Sequence, residues 1–221
     1  MAPRFKKILI TAGPTREMLD PVRFLSNLST GEMGYTLAKV AVSKGYQVSL
    51  VSGPTDLQPP RGVKFYSVIS ATQMEKVCAE LFPKHDSLIM TAAICDFMPV
   101  ASSRHKIQSA RGLMLKLKRT PDILASLAKR KGRRVVIGFC LETQDLIRRA
   151  TKKLIRKKLD GIVANFYGSN GRIPFGKRRV EAHLIDAAGR IRRIAARPKA
   201  QIAKILLRWM ESLNKHLSKS V

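Results

Sequence analysis

The sequence predicts a doubly wound α/β domain, in which a mostly parallel sheet carries helices on both faces. Short apolar runs alternate with amphipathic stretches, which is typical of a parallel sheet with crossover helices. No apolar run approaches the length of a membrane span. With 221 residues, of which 45% are hydrophobic, the chain can bury one sizeable core, so we expect a single domain over residues 1–221.

The first half of the chain contains four predicted strands and two predicted helices. The strands are expected at 5–11, 46–52, 63–69 and 86–93, and the helices at 33–44 and 71–82. Met33, Leu37 and Val40 recur on one face of the first helix, and Gly45 ends it. The run 86–93 is apolar enough to lie inside a parallel sheet.

The second half continues the alternation after an interruption. Residues 95–117 contain Pro99, a Ser102–Ser103 pair and Gly112, which favours a long loop or flap. Helices are then expected at 121–131, 143–158 and 198–217, and strands at 134–140 and 160–165. Residues 180–185 and 190–194 are predicted to pair as a C-terminal β-hairpin beside a Rossmann-like sheet.

The positive charge of the chain is large and unevenly placed. The formal net charge is +27, and residues 101–221 hold 31 Lys and Arg against 7 Asp and Glu. Residues 1–100 hold only 11 Lys and Arg against 8 Asp and Glu. Such a field attracts polyanions, either nucleoside triphosphates or nucleic acid. A compositional bias that fills polar helix faces with basic residues explains the excess equally well.

Cysteine usage and the N-terminus indicate a cytoplasmic protein. Cys78, Cys95 and Cys140 are odd in number and lack metal-ligand spacing, so neither a disulfide scaffold nor a zinc site is expected. Residues 1–4 lack the apolar core of a signal peptide. The four histidines form no evident triad or metal set and are expected to be surface or strand residues.

The stretch 8–44 combines a strand, a glycine-bearing loop and a helix start, which is a usual place for a phosphate. Gly13 and Pro14 break the apolar run, and the predicted helix follows a Ser-Thr-Gly turn. The second strand ends without the carboxylate that a dinucleotide ribose needs, and the P-loop motif is absent. The sequence therefore disfavours a nicotinamide or flavin oxidoreductase and a P-loop kinase.

The same stretch carries a long and specific motif. It contains ITAGPTRE at 10–17, DPVR at 20–23 and SNLSTGEMG at 26–34. These segments resemble the opening of phosphopantothenoylcysteine synthetase (phosphopantothenate–cysteine ligase). Further matches are AAICDF at 92–97, GFCLET at 138–143 and KLIRKKLD at 153–160. The resemblance covers about residues 8–165.

The resemblance implies roles for individual residues. Asn27 and Lys106 would be catalytic: Asn27 would handle an acyl-nucleotide intermediate, and Lys106 would neutralise charge as pyrophosphate leaves. The implied nucleotide-binding residues are Gly13, Ala92, Ala93, Asp96, Lys106, Phe139, Lys153 and Lys157. The implied substrate-binding residues are Arg23, Asn27, Ser29, Thr30 and Gly31. Structural alternatives stay open, namely a cap for Asn27 or Asp96, a loop brace for Asp20 and a solvated side chain for Lys106.

The reaction implied by the resemblance joins 4'-phosphopantothenate to cysteine in coenzyme A biosynthesis. The bacterial enzymes use CTP as co-substrate with Mg²⁺, which Asp96 could hold through the nucleotide, and they are typically homodimers. Many are fused behind a flavin-dependent decarboxylase. No such domain precedes Met1, so a free-standing synthetase with a separate phosphopantothenoylcysteine decarboxylase is expected, without a membrane partner.

The chain departs from the family pattern at several positions. Gln108 and Ser109 replace two lysines of a lysine-rich turn, and Phe166 replaces an aspartate. Lys116, Lys118 or Arg119 could compensate for the lost charge. Two alternatives therefore stay open beside the ligase: a nucleotide-binding relative that has lost ligation, and a basic nucleic-acid-binding protein on the same fold. Residues 142 and 143 are also expected to cap the following helix.

Overall fold

The computed structural model describes residues 6–108, 112–168, 175–176 and 178–217. Its strands are β1 (Lys7–Ala12), β2 (Arg16–Met18), β3 (Phe24–Ser26), β4 (Gln47–Ser52), β5 (Val63–Ser67), β6 (Ser87–Met90), β7 (Phe97–Pro99), β8 (Leu117–Arg119), β9 (Val135–Glu142), β10 (Gly161–Phe166), β11 (Val180–Asp186) and β12 (Ile191–Arg197). Its helices are α1 (Glu32–Ser43), α2 (Ala71–Leu81), α3 (Ile123–Ala128), α4 (Leu146–Arg156) and α5 (Lys199–Leu217), with a short 3-10 helix at Phe82–Lys84.

Eight of these strands form one sheet in the order β12-β11-β10-β9-β6-β1-β4-β5. The six strands from β10 to β5 run parallel, and the β11–β12 hairpin closes one edge in antiparallel pairing. The predicted fold class, including the C-terminal hairpin, is therefore confirmed. The chain leaves β1 for β4 on one side and returns to β6 on the other. Open α/β sheets bind ligands at such a reversal, beyond the carboxyl ends of the strands.

Alternating side chains of β1 show why the sheet is covered on both faces. Ile8 and Ile10 lie in the core shared with α1 and α5. Leu9 points the other way, into the core shared with α2, α3 and α4. Successive side chains of a strand point to opposite faces, so a continuous apolar run requires a helix layer on each side.

Gly34 determines how closely α1 approaches the sheet. A Cβ atom at this position would lie 2.5 Å from the Cβ of Ala12, which is closer than real contacts allow. Only glycine fits there, because the first turn of the helix packs directly against the end of β1. The N-terminus of α1 is thereby held beside the carboxyl end of the sheet.

The segments predicted as loops contain two small additional sheets. β2 pairs with β3 inside the polar loop after β1, and β7 pairs with β8 across the segment predicted as a flap. The segment predicted as a long loop or flap at 95–117 thus carries β7 near its start and the first residue of β8 at its end, and neither strand belongs to the central sheet. Each of these strands has only three residues, which is too short to show the period-two pattern of a half-buried strand.

Two further local predictions need correction. Glu142 and Thr143 do not cap α4: the N-cap residue is Asp145, and Glu142 lies at the end of β9, where its carboxylate is 3.3 Å from Arg149. His85 is not a surface residue. Its buried ring contacts the Leu81 carbonyl at 2.7 Å and the Ser49 hydroxyl at 2.8 Å. Among the described helices, none is long and apolar enough to cross a membrane.

Candidate functional site

A cleft of about 840 Å³ lies where the carboxyl ends of β6, β9 and β10 meet the start of α1. Many of the predicted site residues line it together: Asn27, Ser29, Thr30, Gly31, Ala92, Ala93, Asp96, Phe139, Lys153 and Lys157. These residues are separated by up to 130 positions in the sequence, and the crossing point of the parallel sheet brings them to one edge. The volume is large enough for a nucleotide and a second small substrate.

The floor of the cleft is held by contacts between the ends of β1 and β6. Ala93 donates its N–H to the carbonyl of Gly13 at 2.9 Å and accepts from the N–H of Thr15 at 3.2 Å. Gly13 has φ +70°, and a Cβ on it would lie 2.8 Å from the Gly53 carbonyl oxygen. Gly13 thus supports the loop that lines the cleft, but it is not itself among the lining residues.

Asn27 lies at the rim of the cleft. Its side-chain nitrogen donates to the carbonyl of Ala93 at 3.1 Å and lies 3.9 Å from the sulfur of Cys95. A carbonyl oxygen only accepts, so the amide NH₂ group must face Ala93, and the amide oxygen is directed away from it. Asn27 makes no helix cap: the N-cap of α1 is Gly31.

The start of α1 offers backbone N–H groups to the cleft. Gly31 has φ +77°, a left-handed conformation that glycine adopts without strain, and no side chain caps the helix. The Ser29 hydroxyl accepts from the Gly31 N–H at 3.3 Å. The first N–H groups of a helix have no partner within the helix and favour an anion.

Lys153 of α4 and Lys157, which caps the C-terminus of that helix, both reach the opposite wall, as their spacing of one helical turn predicts. Lys153 donates to the Phe139 carbonyl at 2.9 Å, and burial lowers the pKa of its ammonium group. Lys157 pairs with Asp122 at 2.7 Å. Partial burial raises the pKa of Asp122, but the hydrogen bonds from Lys157 and Ala125 hold this pKa below its ordinary value. A phosphate entering the cleft would therefore meet Lys157, already paired with Asp122, and Lys153, which has no carboxylate at hydrogen-bond distance among the described residues.

Other cleft residues were missed by the sequence reasoning. Lys199, at the start of α5, is only 6% exposed, and its ammonium donates to the carbonyl oxygens of Gly176 and Arg178. Burial lowers the pKa of Lys199 although the nearby charge of Glu32 opposes this. Arg156, the last residue of α4, also lines the cleft. Only the packing of α4 and α5 against the sheet could reveal Arg156 and Lys199, because they stand among many other basic residues in the sequence.

Asp96 and Phe139 occupy positions that suit a nucleotide. Asp96 lines the cleft, and its backbone carbonyl accepts from the N–H of Thr120 at 3.1 Å. This bond uses the main chain of Asp96 and not its carboxylate. Phe139 lies on β9 beside Val163 of β10, with Ala92 and Ala93 on the next strand end. Among the described residues, no group of three or more His, Cys, Asp and Glu side chains could hold a metal ion.

Arg23 and Lys106 lie outside the cleft lining. Arg23 and Ile107, the neighbour of Lys106 in the chain, contact Asp20, a buried carboxylate that accepts from the N–H groups of Val22 and Arg23 at 2.8 Å and of Ile107 at 3.1 Å. The Arg23 side chain lies 3.6 Å from the same carboxylate, and Lys106 is exposed. The structural alternative for Asp20, a brace of the loop, is confirmed by these contacts.

The positions where the chain departs from the family pattern are only partly described. Gln108 is exposed, and Ser109 lies outside the described residues. Phe166 ends β10 and is about half exposed. Of the cations that were expected to compensate, Arg119 lines the cleft, whereas Lys116 and Lys118 do not.

The two cysteines near the cleft are not activated thiols. Burial raises the pKa of Cys140 to about 11 and also raises the pKa of Cys95. Neutral thiols are poor nucleophiles at pH 7. Among the described residues, the cleft therefore offers amides, cations and the carboxylates of Glu32, Asp96 and Asp122, and its cysteine is not an activated nucleophile.

This fold and cleft define an α/β domain with a cation-lined cleft at the crossing point of its parallel sheet. Residues 4–213 match the family described as the DNA/pantothenate metabolism flavoprotein C-terminal domain, and the chain belongs to that family. The resemblance found in the sequence is thereby confirmed at the level of the family.

Individual relatives agree with this assignment. The chain is 42% identical over 212 residues to the coenzyme A biosynthesis bifunctional protein CoaBC of Bacillus subtilis. This match covers 95% of the chain and 52% of the relative. It is 43% identical over 163 residues to the Escherichia coli protein of the same name, covering 72% of the chain and 40% of the relative. The chain thus spans about half the length of the curated relatives it matches, or less.

Solved structures show the same architecture. The crystal structure of the C-terminal domain of a CoaBC protein superposes with a TM-score of 0.82 at 36% identity, covering 97% of this chain and 98% of the other. The structure of a DNA/pantothenate metabolism flavoprotein from Streptococcus pneumoniae superposes with a TM-score of 0.80 at 26% identity. This match covers 94% of this chain and 99% of the other. The chain therefore has the fold of these solved family structures.

Proposed function

We propose that this domain is a phosphopantothenate–cysteine ligase, which joins 4'-phosphopantothenate to cysteine at the expense of CTP in coenzyme A biosynthesis. One observation carries the proposal. The residues that resemble the synthetase motifs, from Asn27 through Asp96 to Lys157, line a single cleft in a domain whose relatives are named for coenzyme A biosynthesis. Such a ligation needs orientation and charge neutralisation rather than a protein nucleophile, which agrees with the neutral thiols.

The first step forms a mixed anhydride. A carboxylate oxygen of phosphopantothenate attacks the α-phosphorus of CTP, the bond from this phosphorus to the β-phosphate bridge breaks, and pyrophosphate leaves. Lys153 and Lys157 are suited to the phosphates, because both lie on one wall of the cleft. Lys157 would exchange Asp122 for a phosphate oxygen, whereas Lys153 needs to give up only a backbone carbonyl.

The second step consumes the acyl-cytidylate. The amine nitrogen of cysteine attacks the activated carbonyl carbon, the bond from this carbon to the phosphate oxygen breaks, and CMP leaves while the amine loses a proton to solvent. Asn27 is placed at the rim beside the backbone of Ala93. A carboxamide can donate to the oxygen on which negative charge develops, and that interaction is strongest in the transition state.

Magnesium fits this site only as a partner of the nucleotide. Mg²⁺ is usually bound by one or two carboxylates together with substrate phosphates. Asp96 is a carboxylate in the cleft lining and would hold the ion, whose charge would offset that of the triphosphate. We expect chelation of Mg²⁺ to stop pyrophosphate release, and a restored rate after its return.

A nucleotide panel tests the proposal directly. CTP, ATP, GTP and UTP are each incubated with phosphopantothenate, with and without cysteine, and pyrophosphate and product are measured separately. We expect pyrophosphate from CTP and product only when cysteine is present. Nucleotide binding without pyrophosphate release would favour a relative that has lost ligation, consistent with the exposed Gln108 and Lys106. Salt-sensitive RNA binding that CTP leaves unchanged would favour the nucleic-acid alternative.

We further propose that the domain forms a homodimer. Exposed apolar side chains cluster on the two small sheets and the residues beside them: Val22, Phe24, Phe97, Val100 and Leu117. Patches of this kind mark interaction surfaces. Light scattering after size exclusion should give a dimer mass, and Val22→Asp with Val100→Asp should give monomers.

The remaining partners follow from the reaction. The product, phosphopantothenoylcysteine, is the substrate of a decarboxylase, so we propose such an enzyme as the functional partner. We place the reaction in the cytoplasm, a proposal supported by three buried cysteines without disulfides. Co-purification with the decarboxylase and fractionation of cells would test these two points.

A further inference from the structure

We propose that Thr15 is a positioning residue that fixes the side chain of Asn27 and thereby couples the two steps of the reaction. Thr15 is fully buried, at 0% exposure, in the loop that follows β1. It does not line the cleft, so it cannot act on a substrate directly. Its polar groups instead join the segments on which the cleft residues stand.

Three different segments meet at Thr15. Its backbone N–H donates to the carbonyl of Ala93 at 3.2 Å, and its hydroxyl accepts from the N–H of Cys95 at 3.0 Å. Its carbonyl accepts from the hydroxyl of Ser26 at 2.8 Å. One residue therefore fixes the loop after β6 against the end of β3, immediately before Asn27 in the chain.

Asn27 depends on the same acceptor. Its amide nitrogen donates to the carbonyl of Ala93 at 3.1 Å, so this oxygen receives hydrogen bonds from Thr15 and Asn27 together. The amide nitrogen also lies 3.9 Å from the sulfur of Cys95, whose backbone the Thr15 hydroxyl holds. A shift of the segment from Ala93 to Cys95 would consequently rotate or release the Asn27 amide.

The hydroxyl of Thr15 can be removed without changing the shape of the side chain. Thr15→Val replaces it by a methyl group and leaves the buried Cys95 N–H without its acceptor, whereas Thr15→Ser keeps the hydroxyl. Since a displacement of about 1 Å can cost about 10²-fold in rate, we expect Thr15→Val to lower product formation by about tenfold or more. Pyrophosphate release should fall much less, and Thr15→Ser should retain most of both activities.

The inference rests on the proposed ligation, and a double-mutant cycle tests it. If Thr15 acts through Asn27, Thr15→Val should reduce kcat for product in the wild-type background but not further in the Asn27→Ala background. Thr55→Val is the control for loss of a threonine hydroxyl, because the Thr55 hydroxyl accepts from the Leu57 N–H at 3.3 Å and donates to the Tyr35 hydroxyl at 3.2 Å, and Thr55 does not line the cleft. Equal losses in both Asn27 backgrounds, or a loss that only follows the unfolded fraction, would overturn the inference.

A second measurement is independent of activity. The side-chain amide resonances of Asn27, assigned by their absence in Asn27→Ala, should shift in Thr15→Val and stay near their wild-type positions in Thr15→Ser and Thr55→Val. Unmoved resonances in Thr15→Val would refute the positioning role even if the enzyme is active. If the wild-type protein releases no pyrophosphate, the proposed function fails, and these resonances alone decide whether Thr15 orients Asn27.

Discussion

The side-chain nitrogen of Asn27 donates a hydrogen bond to the backbone carbonyl of Ala93 at 3.1 Å, across 66 positions of sequence. This bond joins the loop before α1 to the loop after β6, and the cleft lies between the two. It also fixes which end of the amide faces the protein, because a carbonyl oxygen accepts and does not donate.

Asn27→Asp should separate the two chemical steps. An ionised carboxylate cannot donate to Ala93 or to a developing oxyanion, so the acyl-cytidylate should form but react slowly with cysteine. We expect the rate of product formation to fall by about 10²- to 10³-fold, as for removal of an oxyanion donor, while pyrophosphate release persists. Rapid-quench chromatography of the acyl-nucleotide measures both. Ser212→Ala, an exposed site on α5, is the control, and unchanged turnover in Asn27→Asp would contradict the role of Asn27.

Lys153→Met should weaken CTP binding much more than Lys152→Met. Both changes remove one positive charge from the same helix, but Lys153 lines the cleft and Lys152 is exposed outside it. A hydrogen bond to a charged group contributes about 1.5–3 kcal/mol, so the Kd for CTP should rise by about tenfold or more in Lys153→Met. Calorimetric titration measures the Kd. Equal effects of the two variants would indicate non-specific attraction by the basic half of the chain.

Gly53→Ala should destabilise the protein strongly. A Cβ atom on Gly53 would lie 1.7 Å from the carbonyl oxygen of Pro14, so the loop that supports the cleft floor would have to move. We expect a loss of about 4 kcal/mol or more in the free energy of unfolding, together with loss of nucleotide binding. A Cβ atom on Gly112 would meet no atom of the described residues within 4 Å, so Gly112→Ala should change stability by about 0.5 kcal/mol at most. Denaturant titration of both variants would decide, and similar midpoints would refute the close approach.

Asp20 should make stability depend on acidity. Burial raises the pKa of its carboxyl, but the N–H donors of Val22, Ile107 and Arg23 outweigh this and lower the pKa below its ordinary value of 3.8. A group with a lowered pKa in the folded state stabilises the protein above its unfolded pKa, and this contribution is lost as the pH falls through the folded-state pKa. Wild-type stability should therefore drop below about pH 4 more steeply than that of Asp20→Asn. Parallel pH profiles in chemical denaturation would contradict this.

The sequence predicted the central elements because their signals are local. The apolar run of β1, the helical face of α1 and the turn between β11 and β12 each depend on the period of neighbouring side chains. Asn27, Ala92 and Lys153 were found as candidates because they stand in motifs that resemble one family. Their convergence on one cleft agrees with the expectation that ligands bind beyond the carboxyl ends of parallel strands.

The tertiary structure alone decided the relations between distant segments. No sequence period connects the residues that meet in these contacts. They include the pairing of β7 with β8, the hydrogen bond of His85 to Ser49 in the core, the hydrogen bond of Lys199 to Gly176 and the hydrogen bond of Cys95 to Thr15. Hydrogen bonds of this kind form wherever folding places a donor beside an acceptor, and the residue types alone do not specify the partner. Periodicity and motif therefore determined which elements and candidate residues this chain has, whereas packing of the loops against one sheet edge decided which of them meet.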